Sequence, residues 1–156
     1  MAFRVGVELS ALIAAIAPVS GCLCVRAVKL ERDVRLLFIA GADDPLLPLE
    51  GGVAQNPWGE MEENPPMEES FRAWAELIGC PSGPPVVHDV DGVRRLAYRH
   101  CRDGSEALFY IVQGLGHVWP GGKSVLSERV FGKPSDRLKG TDVIWEFFQR
   151  HATPRR

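Results

Sequence analysis

Apolar residues open the chain at helical spacing: Phe3, Val7 and Ala11 share one face and predict a helix over residues 2 to 11. An almost wholly apolar run, Ile13 to Val19, follows and ends at Ser20-Gly21. Such runs suit a strand buried on both faces of a parallel sheet. Val34 to Ile39 is a second run of this kind, closed by Gly41, and it delivers Gly41-Ala42-Asp43-Asp44-Pro45 at its C-terminal end. The pattern then lapses. Residues 51 to 69 are rich in Gly, Pro, Asn and Glu and predict an irregular excursion, with Glu62, Glu63, Glu68 and Glu69 as a solvated face. Ser70 predicts the cap of a helix carrying Phe71, Trp74, Leu77 and Ile78 on one side, with Gly79 as its stop.

Periodicity changes again downstream. Val93 to Tyr98 and Ala107 to Val112 read as strands, and the polar turn Arg102-Asp103-Gly104-Ser105 between them predicts a hairpin. The second strand runs into Gly114-Leu115-Gly116-His117-Val118-Trp119-Pro120-Gly121-Gly122. The last predicted element is a helix from Asp142 to Gln149. Thr141 is its candidate cap, Asp142 suits the positive end of its dipole, and Ile144, Phe147 and Phe148 form its apolar side. Strands alternating with helices predict an α/β layer architecture in one domain. In open sheets of this class function gathers beyond the C-terminal ends of the strands. Two such ends carry chemistry here, one with Asp43 and Asp44, the other with His117.

Composition narrows the function classes. The 156 residues are 46% hydrophobic and 24% charged with a formal net charge of -2, which excludes disorder by composition and gives no electrostatic footprint for nucleic acid. Arg155-Arg156 reads as a solvated tail. The longest apolar run, Ala11 to Val19, is far short of the roughly 20 residues a bilayer needs. That run mimics a secretory signal, but Glu8 lies inside the supposed segment and Pro18 would follow its cleavage site, so no signal peptide is predicted. The four cysteines include no C-x-x-C pair, and His100-Cys101 and His88-Asp89 are adjacent pairs, so no metal site is expected. No cofactor motif is present either.

His117 lies between Gly114-Gly116 and Gly121-Gly122, a setting that presents a side chain to a cleft or leaves it on a loose surface loop. His88 and His151 read as surface residues. Asp44 follows a buried strand and precedes a proline. A general-base histidine needs such a carboxylate to fix its tautomer. An ordinary turn aspartate reads the same way, and Asp43 competes for the role.

The strings themselves then matter. Gly41-Ala42-Asp43-Asp44-Pro45-Leu46-Leu47-Pro48-Leu49-Glu50-Gly51-Gly52 resembles the acid-bearing segment of the polyhydroxybutyrate depolymerase and feruloyl/acetylxylan esterase family, a branch of the α/β-hydrolase superfamily. Gly116-His117-Val118-Trp119-Pro120-Gly121-Gly122 resembles that family's histidine loop and is the most specific match. Thr141 to Phe148 is similar to its final helix, and Ala14 to Gly21 to the strand after its nucleophile helix. The resemblance implies the C-terminal portion of an α/β-hydrolase fold, residues 1–156 being one partial domain with the last three sheet strands and a hairpin-like excursion. It implies a Ser-Asp-His triad with Asp44 as acid and His117 as base, Trp119 at the mouth of the substrate pocket, a Cys80–Cys101 disulfide, and an exported protein acting on polyhydroxyalkanoate, feruloyl or acetyl-polysaccharide esters. Cys22 and Cys24 match nothing in the family and are expected as free thiols.

The nucleophile is missing from this pattern. A Gly-x-Ser-x-Gly elbow belongs upstream of the acid, and no such string occurs. Ser10, Ser20, Ser82 and Ser124 each lack the flanking glycine pair. The alignment places the absent serine shortly before Met1, so the chain is expected to be a fragment that hydrolyses no ester by itself. As written, without an export signal, it would stay in the cytoplasm. Two other readings stand beside this one. The chain could be a non-catalytic module in which Trp58, Trp119 and the Pro-rich loops hold a polysaccharide or polyester, or one half of a split esterase whose separate N-terminal half carries the serine.

Overall fold

A computed structural model describes residues 1–24 and 29–152. Its elements are helix α1 (Ala2–Glu8), strands β1 (Ala15–Ile16), β2 (Arg35–Gly41), β3 (Gly52–Gln55) and β4 (Met61–Asn64), helix α2 (Met67–Leu77), strands β5 (Val86–Val90), β6 (Val93–Tyr98) and β7 (Ala107–Val112), and helices α3 (Glu128–Phe131) and α4 (Gly140–His151). Five strands form one mixed sheet in the order β1-β2-β7-β6-β5, and β3 and β4 make a separate antiparallel hairpin. β1, β2 and β7 run parallel, whereas β6 and β5 turn back against β7. The described residues are therefore α/β, with a mixed five-stranded sheet and four α-helices.

Alternation along β2 builds two cores. Leu36, Phe38 and Ala40 face α1 and α2, joining Phe3, Phe71 and Trp74. Leu37 and Ile39 face α4 and pack with Leu108, Val112 and Phe147. Both faces of β2 are buried because helices cover both sides, which is why its sequence reads as one apolar run. Trp74 is fully enclosed, and its indole N–H donates to the Val34 carbonyl at 2.8 Å, so its single polar atom is satisfied.

Several expectations need correction. The first strand is shorter than Ile13 to Val19 and is half-buried, because it forms the sheet edge instead of an interior position. Beyond Ile16 only the Val19–Ile39 bridge continues the pairing. α2 begins at Met67, three residues before the expected cap, straight after Pro65-Pro66. Ser70 lies inside the helix, where its buried hydroxyl accepts a hydrogen bond from Leu23 N–H at 3.0 Å. α4 starts at Gly140, so Thr141 lies within its first turn and is not its cap. The stretch expected to be irregular contains the β3–β4 hairpin, and β5 was not anticipated at all.

Cys80 and Cys101 are bonded, with an S–S distance of 2.04 Å. The bridge ties the end of α2 to the turn before β7. Arg102 reinforces that junction: its guanidinium donates to both oxygens of Asp33, at 3.0 and 2.6 Å, and to the Leu77 carbonyl at 2.8 Å. The Asp33 carboxylate holds the Arg102 guanidinium above its ordinary pKa, through that hydrogen bonding first and its charge second. Cys22 and Cys24 are also paired, which overturns the expectation of free thiols. Their Cα atoms lie 5.7 Å apart in irregular backbone, well within the range a disulfide spans.

Candidate active site

The parallel pairing of β2 with β7 decides where the two loops meet. Leu36 to Gly41 pair in register with Ala107 to Val112, so both strands end at the same level. The segments that follow, Ala42 to Leu47 and Gln113 to His117, then leave the sheet side by side. Backbone bonds hold them together: Ala42 N–H donates to the Val112 carbonyl at 2.9 Å and Asp43 N–H to the Leu115 carbonyl at 3.1 Å. The approach is close enough to require glycine. A Cβ on Gly41 would lie 2.7 Å from the Leu115 carbonyl carbon and 2.8 Å from the Gly116 oxygen. Gly116 is pressed in turn against Gly132 at the end of α3, and a Cβ there would lie 2.5 Å from Gly132 Cα. His117 N–H donates to the Phe131 carbonyl at 2.6 Å and Gly116 N–H to the Lys133 carbonyl at 2.8 Å, which locks the histidine loop on its other side.

This scaffold brings Asp44 and His117 into contact. Asp44 Oδ2 lies 2.9 Å from His117 Nδ1. The Asp44 side chain is wholly buried, whereas that of His117 is 31% exposed. Asp44 Oδ1 is used separately: it accepts the backbone N–H groups of Leu46 and Leu47, both at 2.9 Å. Each carboxylate oxygen therefore has a fixed task, one ordering the loop and the other facing the imidazole. Such satisfaction is what a buried carboxylate needs. Asp43 is exposed, and of the two neighbours it is Asp44 that meets the His117 ring. A carboxylate only accepts, so the tautomer that satisfies this contact donates Nδ1–H to Asp44 and leaves the lone pair on Nε2.

A second histidine–carboxylate contact supplies a useful contrast. His151 Nε2 lies 2.9 Å from Glu106 Oε1, and its ring packs against Phe147 at 4.7 Å. His151 was expected at the surface, but its side chain is only 15% exposed. Glu106 directly precedes β7, so this pair sits at the opposite end of the sheet and joins the last turn of α4 to that strand. Arg99 and Arg150 approach the same carboxylate, at 3.8 and 3.6 Å. The cluster ties the last turn of α4 to the start of β7.

The other predicted residues divide. Trp119 lies two residues past His117, half exposed, with its indole N–H donated to Thr141 Oγ1 at 3.0 Å. Cys80 and Cys101 lie at the far end of the sheet from His117. None of the serines forms an elbow. Ser10 is buried and its hydroxyl accepts Glu31 N–H at 3.0 Å. Ser124 turns back on Leu126 N–H. Ser20 has the left-handed backbone (φ 44°) and an enclosed hydroxyl with no hydrogen-bond partner, but the residues after it, through Cys24, are irregular and not helical. Among the described residues no group of three or more His, Cys, Asp or Glu side chains could hold a metal ion, and no helix is long and apolar enough to cross a membrane.

No family model matches this chain, and no curated protein matches it.

Proposed function

We propose that this chain supplies the acid–base pair of a serine-type carboxylic-ester hydrolase of the polyhydroxybutyrate depolymerase and feruloyl esterase kind, on the C-terminal portion of an α/β-hydrolase fold. The observation that carries the reading is the 2.9 Å contact between buried Asp44 Oδ2 and His117 Nδ1 at the C-terminal end of two parallel strands. Asp44 fixes the tautomer and stabilises the imidazolium. His117 Nε2 accepts the proton of the attacking hydroxyl as the acyl-enzyme forms and returns it to the departing alkoxide; a water repeats the cycle to release the acid. Trp119 borders the path to Nε2.

The serine comes from a companion segment. The absence of a Gly-x-Ser-x-Gly string supports this, and so does the surface beside β1. That strand is an open edge, and exposed Val5, Leu9 and Leu12 flank it. An unpaired strand edge with apolar neighbours is a template for a further strand. By the same reading the protein acts outside the cytosol, and the Cys80–Cys101 bridge supports an oxidising compartment.

The test is to express this chain alone and joined to the polypeptide encoded directly upstream of Met1, and to assay both against p-nitrophenyl butyrate. Activity should appear only in the joined protein and vanish with His117→Ala. A joined protein carrying a serine elbow but showing no His117-dependent hydrolysis would overturn the reading.

A further inference from the structure

Strand register places His88, Arg95, Tyr110 and Ile39 in one row across β5, β6, β7 and β2. α4 covers the Ile39 end of that row, where Ile39 packs in the same core as Phe147. Towards β5 the cover thins: Arg95 and Tyr110 are half-buried and His88 is exposed. Here, between the sheet and the flank of α4, the surface sinks into a hollow of about 530 Å³, lined by Arg95, Tyr110, Glu146, Gln149 and Arg150. Residues alternate faces along a strand, so Arg99 falls on the same side as Arg95, with buried Ala97 between them. Arg150 links the two ends. It lines the hollow with Arg95 and, like Arg99, approaches Glu106.

Little within the described fold uses these cations. Arg95 Nε is enclosed without a hydrogen-bond partner. Arg99 and Arg150 reach Glu106 only at 3.8 and 3.6 Å, beyond hydrogen-bond length, and Glu106 Oε1 is already engaged by His151 at 2.9 Å. The Phe147 ring steadies Arg150, its centre 5.8 Å from the guanidinium carbon. We propose that the hollow binds a small oxyanion, a carboxylate or phosphate group held by the Arg95 and Arg150 guanidiniums, with the Tyr110 hydroxyl and the Gln149 amide as further donors. Charge selects the sign of the ligand. Three guanidiniums gather here around two carboxylates, Glu106 and Glu146, on a chain whose formal net charge is -2. Donor geometry selects its class, because a guanidinium presents paired N–H groups that match two oxygens of a carboxylate or phosphate. Glu146 sets the size limit: its carboxylate on the rim repels a long polyanion but leaves room for one anionic group. None of this rests on the hydrolase reading.

Titration of the nitrogen-15-labelled chain with sodium phosphate and with sodium acetate, at an ionic strength held constant by sodium chloride, tests the proposal through the arginine side-chain resonances. One or both anions should shift the Arg95 and Arg150 signals saturably at millimolar concentration. Acetate binding more tightly assigns a carboxylate ligand, and phosphate binding more tightly assigns a phosphorylated one; either supports the site. Arg95→Gln or Arg150→Gln should weaken binding about tenfold, as expected for loss of a charged hydrogen bond. Glu146→Gln should tighten it several-fold by removing a repelling carboxylate, and Arg129→Gln, on α3, should leave it within twofold. The proposal fails if neither anion gives a saturable shift, if chloride alone produces the same shifts, or if Glu146→Gln weakens binding. It fails equally if Arg95→Gln and Arg150→Gln, with unchanged circular dichroism spectra, both bind like the parent chain. Should one of these two variants not fold, the other and Glu146→Gln decide the matter.

Discussion

Gly41→Ala is the sharpest probe of how the fold makes the site. The added Cβ would lie 2.7 Å from the Leu115 carbonyl carbon, where carbon atoms normally rest at about 3.5 Å or more. Relief requires the acid loop and the histidine loop to separate by roughly 0.8 Å on that basis. The Asp44–His117 contact is 2.9 Å, so the same displacement takes it to about 3.7 Å, where it is no longer a hydrogen bond. Overpacking alone costs about 1–3 kcal/mol, and a buried carboxylate losing its partner adds about 1–3 kcal/mol. Urea unfolding of four proteins measures this directly: the parent, Gly41→Ala, His117→Ala and the double variant. If the methyl already breaks the contact, His117→Ala should cost about 1–3 kcal/mol in the parent and much less in the Gly41→Ala background. Additive losses, or a Gly41→Ala protein within about 0.5 kcal/mol of the parent, would refute the argument.

Other perturbations have equally definite outcomes. Asp44→Asn keeps an oxygen for Leu46 and Leu47 N–H but presents an amide donor to Nδ1. It should fold within about 1 kcal/mol of the parent, yet lower kcat of the joined esterase by roughly 10⁴-fold by forcing the wrong tautomer. Trp74→Ala empties the centre of the core beneath α2 and leaves the Val34 carbonyl unpaired; chemical denaturation should show a loss of about 3–5 kcal/mol. Replacing Cys80 and Cys101 by alanine opens a link across 21 residues and should cost about 3 kcal/mol in the same assay. The His117 ring signals should not move, because that bridge lies at the other end of the sheet.

The legible parts of the sequence were those in which one local cause fixes the outcome. β2 is apolar throughout because helices cover both its faces, and β6 and β7 keep their bounds because a polar turn separates two clear strand patterns. Asp44 and His117 were legible as ends of such strands. Parallel register then brings them together without any further signal between positions 73 residues apart. Failures came where the cause is distant or lies in a side chain. The β3–β4 hairpin has mostly exposed residues and no apolar alternation, and its turn is organised by the Asn56 side chain. β5 is exposed along its whole length at the sheet edge, so its valines carry no burial pattern. Ser70 has the composition of a cap but serves Leu23, 47 residues away. The close approach at Gly41 and Gly116 was visible only as two glycines. Nothing in the string says that each faces a carbonyl of a neighbouring loop.

The account stands on the imidazole of His117 sharing its Nδ1 proton with Asp44. Nitrogen-15 NMR of the histidine rings, read where the ring carries a single proton, measures that arrangement directly. The prediction is that this proton rests on Nδ1 and leaves Nε2 bare, with a strongly downfield Nδ1–H resonance that disappears in Asp44→Ala. A proton resting on Nε2, or His117 signals indifferent to the loss of the Asp44 carboxylate, would contradict it.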